Sequence, residues 1–333
     1  MTSHAAGSPA APQGNVTQPS HRYAPRAPVR ESATRRRNRG EAERTRTLLS
    51  PWTLRSTRGR IGYWLVFVVV LALFTIAFVV PLVWMLLGAM KSAPELARTP
   101  PTILPDRFSL GSYVEAWDFM DLAGYFRNTV VVAAGAWLLQ LAVVVPAAYA
   151  LSKLRPVLGN WILGLMLATL MLPASALLVP TYLTITDVPL IGVNLINNPA
   201  AIWLPAAANA FNLYLLKRFF DQIPTELLDA ARIDGAGSVT TMVRIVLPLS
   251  RPILAVVSIF AIVAAWKDFI WPLLVLQDPG IQTLSVALQR FEPDTPINLM
   301  LAGLVLASIP MVVAFLIFQR QILAGLSAGS LKG

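Results

Sequence analysis

The stretch I-P-T-E-L-L-D-A-A-R-I-D-G-A-G-S-V-T-T-M-V-R-I-V-L-P-L-S-R-P, residues 223–252, is the longest polar interruption in the apolar half of the chain, and an apolar run flanks it on either side. Pro224 suits the first position of a helix, where a missing N–H costs nothing, and Glu226 favours the positive end of the helix dipole. Gly235 can adopt the left-handed conformation that ends a helix, and Ser238 can cap the next one. The pattern therefore predicts a short helix, a glycine turn and a second helix.

One face of the first predicted helix carries small side chains. Leu227, Ala230, Ala231 and Asp234 recur at spacings of three and four residues, so they share a face with alanines at its middle. Two interpretations fit this spacing: an ordinary connecting loop with two surface helices, or a smooth surface on which another protein docks. Spacing alone does not decide between them.

The composition is that of a membrane protein. Of the 333 residues, 56% are hydrophobic and 13% are charged, about half of the roughly 25% charged residues in soluble domains. Cysteine is absent, which excludes disulfides and thiolate metal sites, and the two histidines, His4 and His21, precede the first apolar run. The usual catalytic triads and zinc motifs therefore cannot be built from this chain.

Residues 1–60 form a tail that is rich in Pro, Ser, Ala, Gly and Arg. The tail holds twelve of the 27 Lys and Arg residues, which accounts for most of the net charge of +10. It has too little apolar surface to offset the entropy lost on folding, so we expect it to be disordered. The cluster R-R-R-N-R at 35–39 could bind nucleic acid or anionic lipid. A solvated tail that helps to fix membrane orientation is the simpler interpretation, so we expect membrane lipid and no nucleic acid among the partners.

From Ile61 onward the sequence contains six apolar stretches. A hydrocarbon core about 30 Å thick needs about 20 helical residues per crossing. The predicted spans are 61–90, 126–151, 161–182, 198–216, 253–276 and 300–323. We therefore expect an all-α membrane protein with six transmembrane helices over residues 61–333, a cytoplasmic hairpin at 223–252, and the disordered Arg-rich tail in front.

Lys and Arg residues indicate the orientation of these spans. With the tail inside the cell, the predicted inner segments and the last helix end carry nine basic residues beyond the tail. The predicted outer segments 91–125, 183–197 and 277–299 are longer in total and carry only four. Because cytoplasmic loops are enriched in Lys and Arg, both termini and the hairpin are predicted to lie on the cytoplasmic side.

Polar side chains inside the predicted spans are candidates for a transport pathway, because they are costly in lipid. Most Asn, Gln and Ser side chains in spans make hydrogen bonds between helices instead. Lys267 and Asp268 stand out, since adjacent residues on a helix do not face each other and so cannot pair. The alternative is that the span breaks there and both lie near the outer interface. The candidate pathway residues are Gln140, Asn209, Asn212, Trp266, Lys267 and Asp268.

Two segments of the hairpin, D-A-A-R-I-D-G-A at 229–236 and R-I-V-L-P at 244–248, resemble the cytoplasmic signature of permease subunits of bacterial ABC importers, of the binding-protein-dependent type I class. That signature reads E-A-A, three residues, glycine, nine residues, and then I-x-L-P. Gly235 and Ile245 have this spacing, and Asp229 stands where the family usually has glutamate.

Other segments extend the resemblance over about residues 61–333. They are similar to the carbohydrate-importing branch of these permeases, and in particular to the maltose-type second permease, except that Lys267 stands where that branch usually has asparagine. These segments are P-L-V-W-M-L-L-G-A-M-K at 81–91, A-A-Y-A-L-S-K-L at 147–154, W-K-D-F-I-W-P-L-L-V at 266–275 and Q-R-Q-I-L-A-G-L-S-A-G-S-L-K-G at 319–333.

The resemblance implies a bacterial cell-membrane subunit that works with other chains. It implies an ABC ATPase pair, a second permease and an extracytoplasmic solute-binding protein that delivers a sugar, polyol or oligosaccharide. The chain has no G-x-x-x-x-G-K-[ST] phosphate loop, so we expect no enzyme activity and no cofactor on it, with ATP and Mg on the partner ATPase. The implied ATPase-docking residues are Glu226, Asp229, Ala230, Ala231, Asp234, Gly235, Ala236 and Pro248.

Other classes of function remain open from the sequence. A secondary ion-coupled transporter would show inverted repeats and paired intramembrane acids, whereas we find no convincing repeat and only Asp268 as an acid well inside a span. An importer permease for a solute other than a sugar fits the hairpin equally well. An intramembrane enzyme with a Ser/Lys pair that uses Lys267 is formally possible.

Overall fold

The computed structural model describes the backbone of residues 57–330 and the side chains of residues 57–319. It is 78% helical, and within the described residues the only β-type pairing is an isolated bridge between Val188 and Val193. The prediction of a mostly helical protein is therefore confirmed. The predicted tail, with its cluster at 35–39, lies outside the described residues except for its last four, which begin the first helix.

The chain divides into two compact units, Met1–Phe74 and Thr75–Gly333. In the first unit, the described residues form helix with exposed apolar side chains such as Ile61 and Leu73, which are 60% and 61% exposed. Such a surface is unfavourable in water and suits a lipid environment. The second unit holds the three clusters of buried apolar side chains.

The helices follow one another with few long connections. In chain order they are α1 Thr57–Ala89, α2 Ala93–Leu96, α3 Gly111–Phe119, α4 Leu122–Tyr149, α5 Gly159–Thr169, α6 Ala174–Thr186, α7 Ala200–Ala207, α8 Ala210–Asp221, α9 Thr225–Ile233, α10 Ser238–Thr241, α11 Leu247–Leu249, α12 Arg251–Lys267, α13 Ile270–Val275, α14 Leu284–Phe291 and α15 Ile297–Ser330. Two π-helical turns, Ala150–Leu154 and Met242–Val246, extend α4 and join α10 to α11.

Three described helices are long and apolar enough to cross a membrane, and five spans result if each of two bent helix pairs counts as one. The three are α1, α4 with its π-helical turn, and Ile297–Gln319 of α15. The first bent pair is α5 with α6, at 110°; the second joins the helical arm Ser238–Leu249 to α12, at 84°. Six spans therefore remain a prediction.

The bend between α5 and α6 falls inside the predicted span 161–182. Pro173 precedes α6 with an extended backbone conformation (ψ 135°). Proline has no N–H to continue a helical ladder and disfavours helical geometry in the residue before it, so the helix ends ahead of it. The sequence predicts one continuous helix here, and the structure has two.

Breaks also interrupt the fourth and fifth predicted spans. In 198–216, α7 ends at Ala207 and α8 starts at Ala210, with Asn209 in an extended conformation between them. In 253–276, α12 ends at Lys267, and Asp268 is extended before α13 begins. Both breaks place a polar side chain where helical hydrogen bonding is interrupted, which is typical of transporter helices that line a cavity.

Helix α4 is the centre of the second unit. Its residues Val144, Val145, Ala148 and Tyr149 share one buried cluster with residues of α8 and α12. Close to the middle of α4, Gly135 allows α7 to approach: an added Cβ would lie 2.1 Å from the Trp203 ring. The Trp203 indole N–H donates to the Val132 carbonyl at 3.1 Å, which holds the ring against α4. Small residues permit this kind of close helix approach in membranes.

Candidate functional site

The first arm of the hairpin is helix α9, and its two faces differ. Leu228 and Ala231 are 4% and 6% exposed and face inward, whereas Leu227 and Ile233 are 45% and 87% exposed. Ala230 is also exposed. The sequence predicts that Ala231 shares a docking surface with Ala230. The structure corrects this, because Ala231 packs within its own chain and only Ala230 lies on the outward face.

The turn of the hairpin has the geometry that the sequence predicts. Gly235 has φ 79°, in the left-handed region. The Ala236 N–H donates to the Ala231 carbonyl at 2.8 Å and the Gly235 N–H to the Arg232 carbonyl at 3.0 Å, so the end of α9 is capped by backbone. A Cβ at Gly235 would meet no atom within 4 Å, which leaves the turn open to contact from outside the chain.

Acidic residues of α9 lie on its exposed side. Glu226 is in the first turn of the helix, and Asp234 caps its end. The Asp229 carboxylate accepts a hydrogen bond from Arg232 at 2.9 Å, and both side chains are about 60% exposed. An exposed pair of this kind contributes at most about 1 kcal/mol, so Asp229 can exchange this partner for another at little cost.

The second arm returns the chain to the membrane helices. Val246 is fully buried and belongs to the same apolar cluster as Leu228 of the first arm. Pro248 is exposed on α11, and the arm then meets α12 at the 84° bend. Because Leu228 and Val246 pack with buried residues of α4, α8 and α12, the inner side of the hairpin is continuous with the helical core.

A polar cluster fixes the start of the hairpin to the end of α4. The Asp221 carboxylate accepts hydrogen bonds from the Ser152 hydroxyl at 2.7 Å and from Lys217 at 2.9 Å. The Lys153 ammonium donates to the Ile223 carbonyl at 2.8 Å. Burial alone would raise the pKa of Asp221, but the hydrogen bonds from Lys217 and Ser152, with the charges of Lys217 and Lys153, outweigh it and hold the pKa below its ordinary value.

A cavity of about 290 Å³ lies among the helices of the second unit, and we call it the central cavity. It is lined by residues of α4, α6, α7, α12 and α13, and by the breaks after α7 and α12. Its lining residues are Ala136, Gln140, Ala174, Leu177, Leu178, Thr181, Ile202, Pro205, Ala206, Asn209, Ala261, Ala264, Ala265, Asp268 and Trp271.

Three of the six predicted pathway residues meet in this cavity: Gln140, Asn209 and Asp268. Gln140 belongs to α4, whereas Asn209 and Asp268 belong to the breaks after α7 and α12. Gln140 is only 3% exposed. Its amide nitrogen has no hydrogen-bond partner among the residues that the structure describes. An unsatisfied buried donor costs about 1–3 kcal/mol, so this amide is suited to an incoming acceptor.

The other three predicted pathway residues lie elsewhere. Asn212 is buried on α8, next to the break but outside the cavity lining. Trp266 lines a separate, mostly apolar cavity with residues of α14 and α15, and its ring lies 6.1 Å from that of Phe126. Lys267 is exposed at the end of α12 and lines neither of these two cavities. Lys267 and Asp268 have different surroundings because α12 ends at Lys267, so the chain turns there instead of continuing as a helix.

Sequence reasoning missed two features of the hairpin and the central cavity. Trp271 lines the central cavity, where its indole N–H donates to the Ala201 carbonyl at 3.0 Å. The Asp221 cluster was also missed, although Lys217 and Asp221 have the i,i+4 spacing of a helical ion pair. That spacing signals the pair, but nothing in the sequence signals the contact with Ser152.

The family of binding-protein-dependent transport system inner membrane components matches residues 142–327. The melibiose/raffinose/stachyose import permease protein MelC of Bacillus subtilis is 34% identical over 69% of this chain and 84% of its own length. The sulfoquinovosyl glycerol transport system permease protein SmoH of Agrobacterium fabrum is 32% identical over 76% of this chain and 88% of its own.

Among solved structures, a chain of a bacterial ABC transporter involved in the import of the acidic polysaccharide alginate shares the fold. The TM-score is 0.71 at 22% identity, and the match covers 80% of this chain and 98% of that one. The family match covers more than half of the sequence, and it includes the whole hairpin and most of the central cavity lining. The chain therefore belongs to the binding-protein-dependent transport system inner membrane components, the membrane permeases of ABC importers.

Proposed function

We propose that this chain is a permease subunit of an ATP-driven importer and that, with a second permease, it forms the pathway for a sugar or a related polyol or oligosaccharide. An external binding protein delivers the solute. The observation that carries the proposal is the hairpin: its inner side is part of the helical core, while Leu227, Ala230 and Ile233 leave an exposed apolar patch beside the open turn at Gly235.

Relatives support a sugar-type solute. MelC is named for melibiose, raffinose and stachyose, which are neutral glycosides, and SmoH for sulfoquinovosyl glycerol, a glycoside that carries a sulfonate. The two names share the glycoside and differ in charge. The polar lining of the central cavity by Gln140, Asn209 and Asp268 fits hydroxylated solutes, because amide and carboxylate groups pair readily with hydroxyls.

The proposed topology has six spans, with both termini and the hairpin inside the cell. It counts α7 with α8 as one broken span and α12 with α13 as another, and it rests on the excess of Lys and Arg in the inner segments. On this topology the exposed face of α9 meets a cytoplasmic partner.

The energy is supplied by another chain. The sequence lacks a phosphate-binding loop, so ATP and Mg bind a partner ATPase pair and not this subunit. The docking contacts are expected from the members of the predicted set outside the core: Glu226, Asp229, Ala230, Asp234, Gly235 and Pro248, which are exposed, and Ala236, which is half-buried at the turn. Movement of the docked hairpin reaches the spans through Leu228 and Val246, and through the Asp221 cluster at the end of α4.

The substitution Gly235→Arg tests the docking role. We expect it to abolish ATP-driven uptake while the protein still inserts, because arginine would occupy the open space at the turn and strain a left-handed backbone by about 1–2 kcal/mol. The measurement is uptake and solute-stimulated ATP hydrolysis in membranes that contain the co-expressed ATPase.

The matched control for this substitution is Gly192→Arg. Gly192 also has positive φ, at 60°, but lies in the loop between α6 and α7, so the backbone strain is similar and the hairpin is untouched. We expect the control to transport. Normal coupling in Gly235→Arg would refute the docking role, and uptake that persists without any co-expressed ATPase would indicate an ion-coupled carrier.

A further inference from the structure

We propose that the central cavity is a solute subsite on this subunit, and that it accepts neutral hydroxylated solutes and excludes acidic ones. The proposal rests on the proposed import function and specifies its substrate class. Three observations carry it: an unsatisfied buried amide, polar side chains at two helix breaks, and the charge of the lining.

The unsatisfied amide belongs to Gln140, on the wall that α4 contributes. Its side chain is almost fully buried, and its amide nitrogen has no partner among the described residues. Leaving a buried donor unpaired is costly. Six buried side-chain atoms of the described residues lack a partner, and among those six the Gln140 nitrogen is the one that belongs to a residue of the central cavity lining. A solute hydroxyl that accepts from this nitrogen would remove the cost when it binds.

The two helix breaks contribute Asn209 and Asp268 to the wall of the cavity. The Asn209 side-chain oxygen is already used, since it accepts from the Asn212 N–H at 2.9 Å and caps α8, so its NH₂ group is the part left to contact a solute. The Asp268 carboxylate is an acceptor. The wall therefore offers two amide donors and one strong acceptor, which matches hydroxyl groups, since each hydroxyl both donates and accepts.

The charge of the lining determines which solutes are excluded. Asp268 is the sole ionisable side chain among the lining residues that the structure describes, and no Lys or Arg lines the cavity to offset it. The Asp268 carboxylate repels a second negative charge that comes within a few ångströms. At the effective dielectric of about 20 found near protein surfaces, this repulsion lowers the affinity by about tenfold or more. Carboxylate, sulfonate and phosphate groups are therefore disfavoured.

The size of the cavity limits how much of a solute it holds. Its volume of about 290 Å³ is just below the range of roughly 300–1,000 Å³ that is usual for ligand pockets. This volume suits one sugar unit. Trp271 supplies an apolar wall, and its ring is held in place by the hydrogen bond to the Ala201 carbonyl.

The experiment uses the absence of cysteine from the chain. In purified full-length protein, Ala265→Cys places a single thiol on the cavity wall. The substitution adds only one sulfur atom to the side chain and keeps Gln140, Asn209 and Asp268. The thiol is treated with a cationic and an anionic methanethiosulfonate reagent of matched size. The quantity compared is the ratio of the cationic to the anionic reaction rate. The reference is Leu190→Cys, at a fully exposed loop position, and we expect the ratio for Ala265→Cys to be about tenfold higher or more.

Adding Asp268→Asn to the same probe identifies the source of the preference. We expect the ratio of the two rates to fall to that of Leu190→Cys, whereas Lys267→Gln, at the adjacent exposed position outside the cavity, should not reduce it. Should Ala265→Cys fold poorly, Ala206→Cys on the α7 wall gives the same readout. Equal reagent rates in the cavity, or a preference that survives Asp268→Asn, would overturn the proposal.

Uptake by the assembled importer supplies a separate test of the substrate class. Raffinose and glycerol 3-phosphate serve as neutral and acidic probes, and transport of the acidic probe by the wild type would overturn the proposal. If the proposed import function is wrong, the result is different. ATP-driven uptake is then absent in every variant, while the reagent rates still report the charge of the cavity.

Discussion

At the scale of single residues, Asp221 shows how one side chain joins separate parts of the fold. It holds Ser152 at the end of α4 and Lys217 of α8 together, next to the point where the hairpin begins. The ion pair is partly buried, with 17% and 32% of the two side chains exposed, so it is screened less than a surface pair. Its contribution depends on the ionised carboxylate.

The lowered pKa of Asp221 gives a prediction about pH. A carboxyl whose pKa is lower in the folded protein stabilises it above its unfolded pKa of about 3.9, and this contribution is lost as the pH falls through the folded value. We therefore expect Asp221→Asn to lower the melting temperature at pH 7 and to have a shrinking effect as the pH falls below about 4. Thermal unfolding in detergent from neutral to acid pH measures the difference.

Asp229→Asn is the control for that prediction. Its ion pair with Arg232 is exposed on both sides, so its removal should change the melting temperature little at any pH. An Asp221→Asn effect that stayed constant down to acid pH would contradict the assignment of a depressed pKa to this carboxyl.

At the scale of elements, the contact between α4 and α7 depends on a missing side chain. Gly135 lies directly against the Trp203 ring, and Trp203 is held by its bond to Val132. The Gly135→Ala substitution should destabilise the protein by about 1–3 kcal/mol, because the new methyl group cannot fit without moving the ring or the helix. Thermal unfolding of the purified protein measures the loss.

Gly164→Ala on α5 is the control for Gly135→Ala, because we expect it not to lower the stability of the protein. A Cβ there meets no atom within 4 Å, so alanine should be neutral or should stabilise the helix by up to about 1 kcal/mol. If Gly135→Ala were neutral or stabilising like Gly164→Ala, helix propensity would account for both results, and the close packing of α4 against α7 at Gly135 would be refuted.

At the scale of the whole molecule, orientation decides whether the hairpin can reach an ATPase. Single cysteines in this cysteine-free chain report it. In intact cells we expect a membrane-impermeant thiol reagent to leave Ala236→Cys unmodified and to label Leu190→Cys, which is fully exposed in the loop predicted to lie outside. After cell lysis both should react. Labelling of Ala236→Cys in intact cells would exclude a cytoplasmic hairpin and, with it, the coupling role.

The sequence by itself determined the properties that depend on local patterns. Apolar stretches long enough for a bilayer, and the scarcity of charge, identify a helical membrane protein without reference to any contact. The turn at Gly235 follows from one residue type with access to left-handed backbone, and the hairpin signature gives the family. These features need no information from distant parts of the chain.

Only the tertiary structure decided which face of the hairpin is free and which polar residues meet. Ala230 and Ala231 are equivalent in the sequence pattern, but the core formed with α4, α8 and α12 buries Ala231. Gln140, Asn209 and Asp268 meet because two helices break, while Lys267, adjacent to Asp268, does not line the cavity. The physical reason is that helix breaks and packing between distant segments depend on the sum of many weak contacts, which no local stretch of sequence contains.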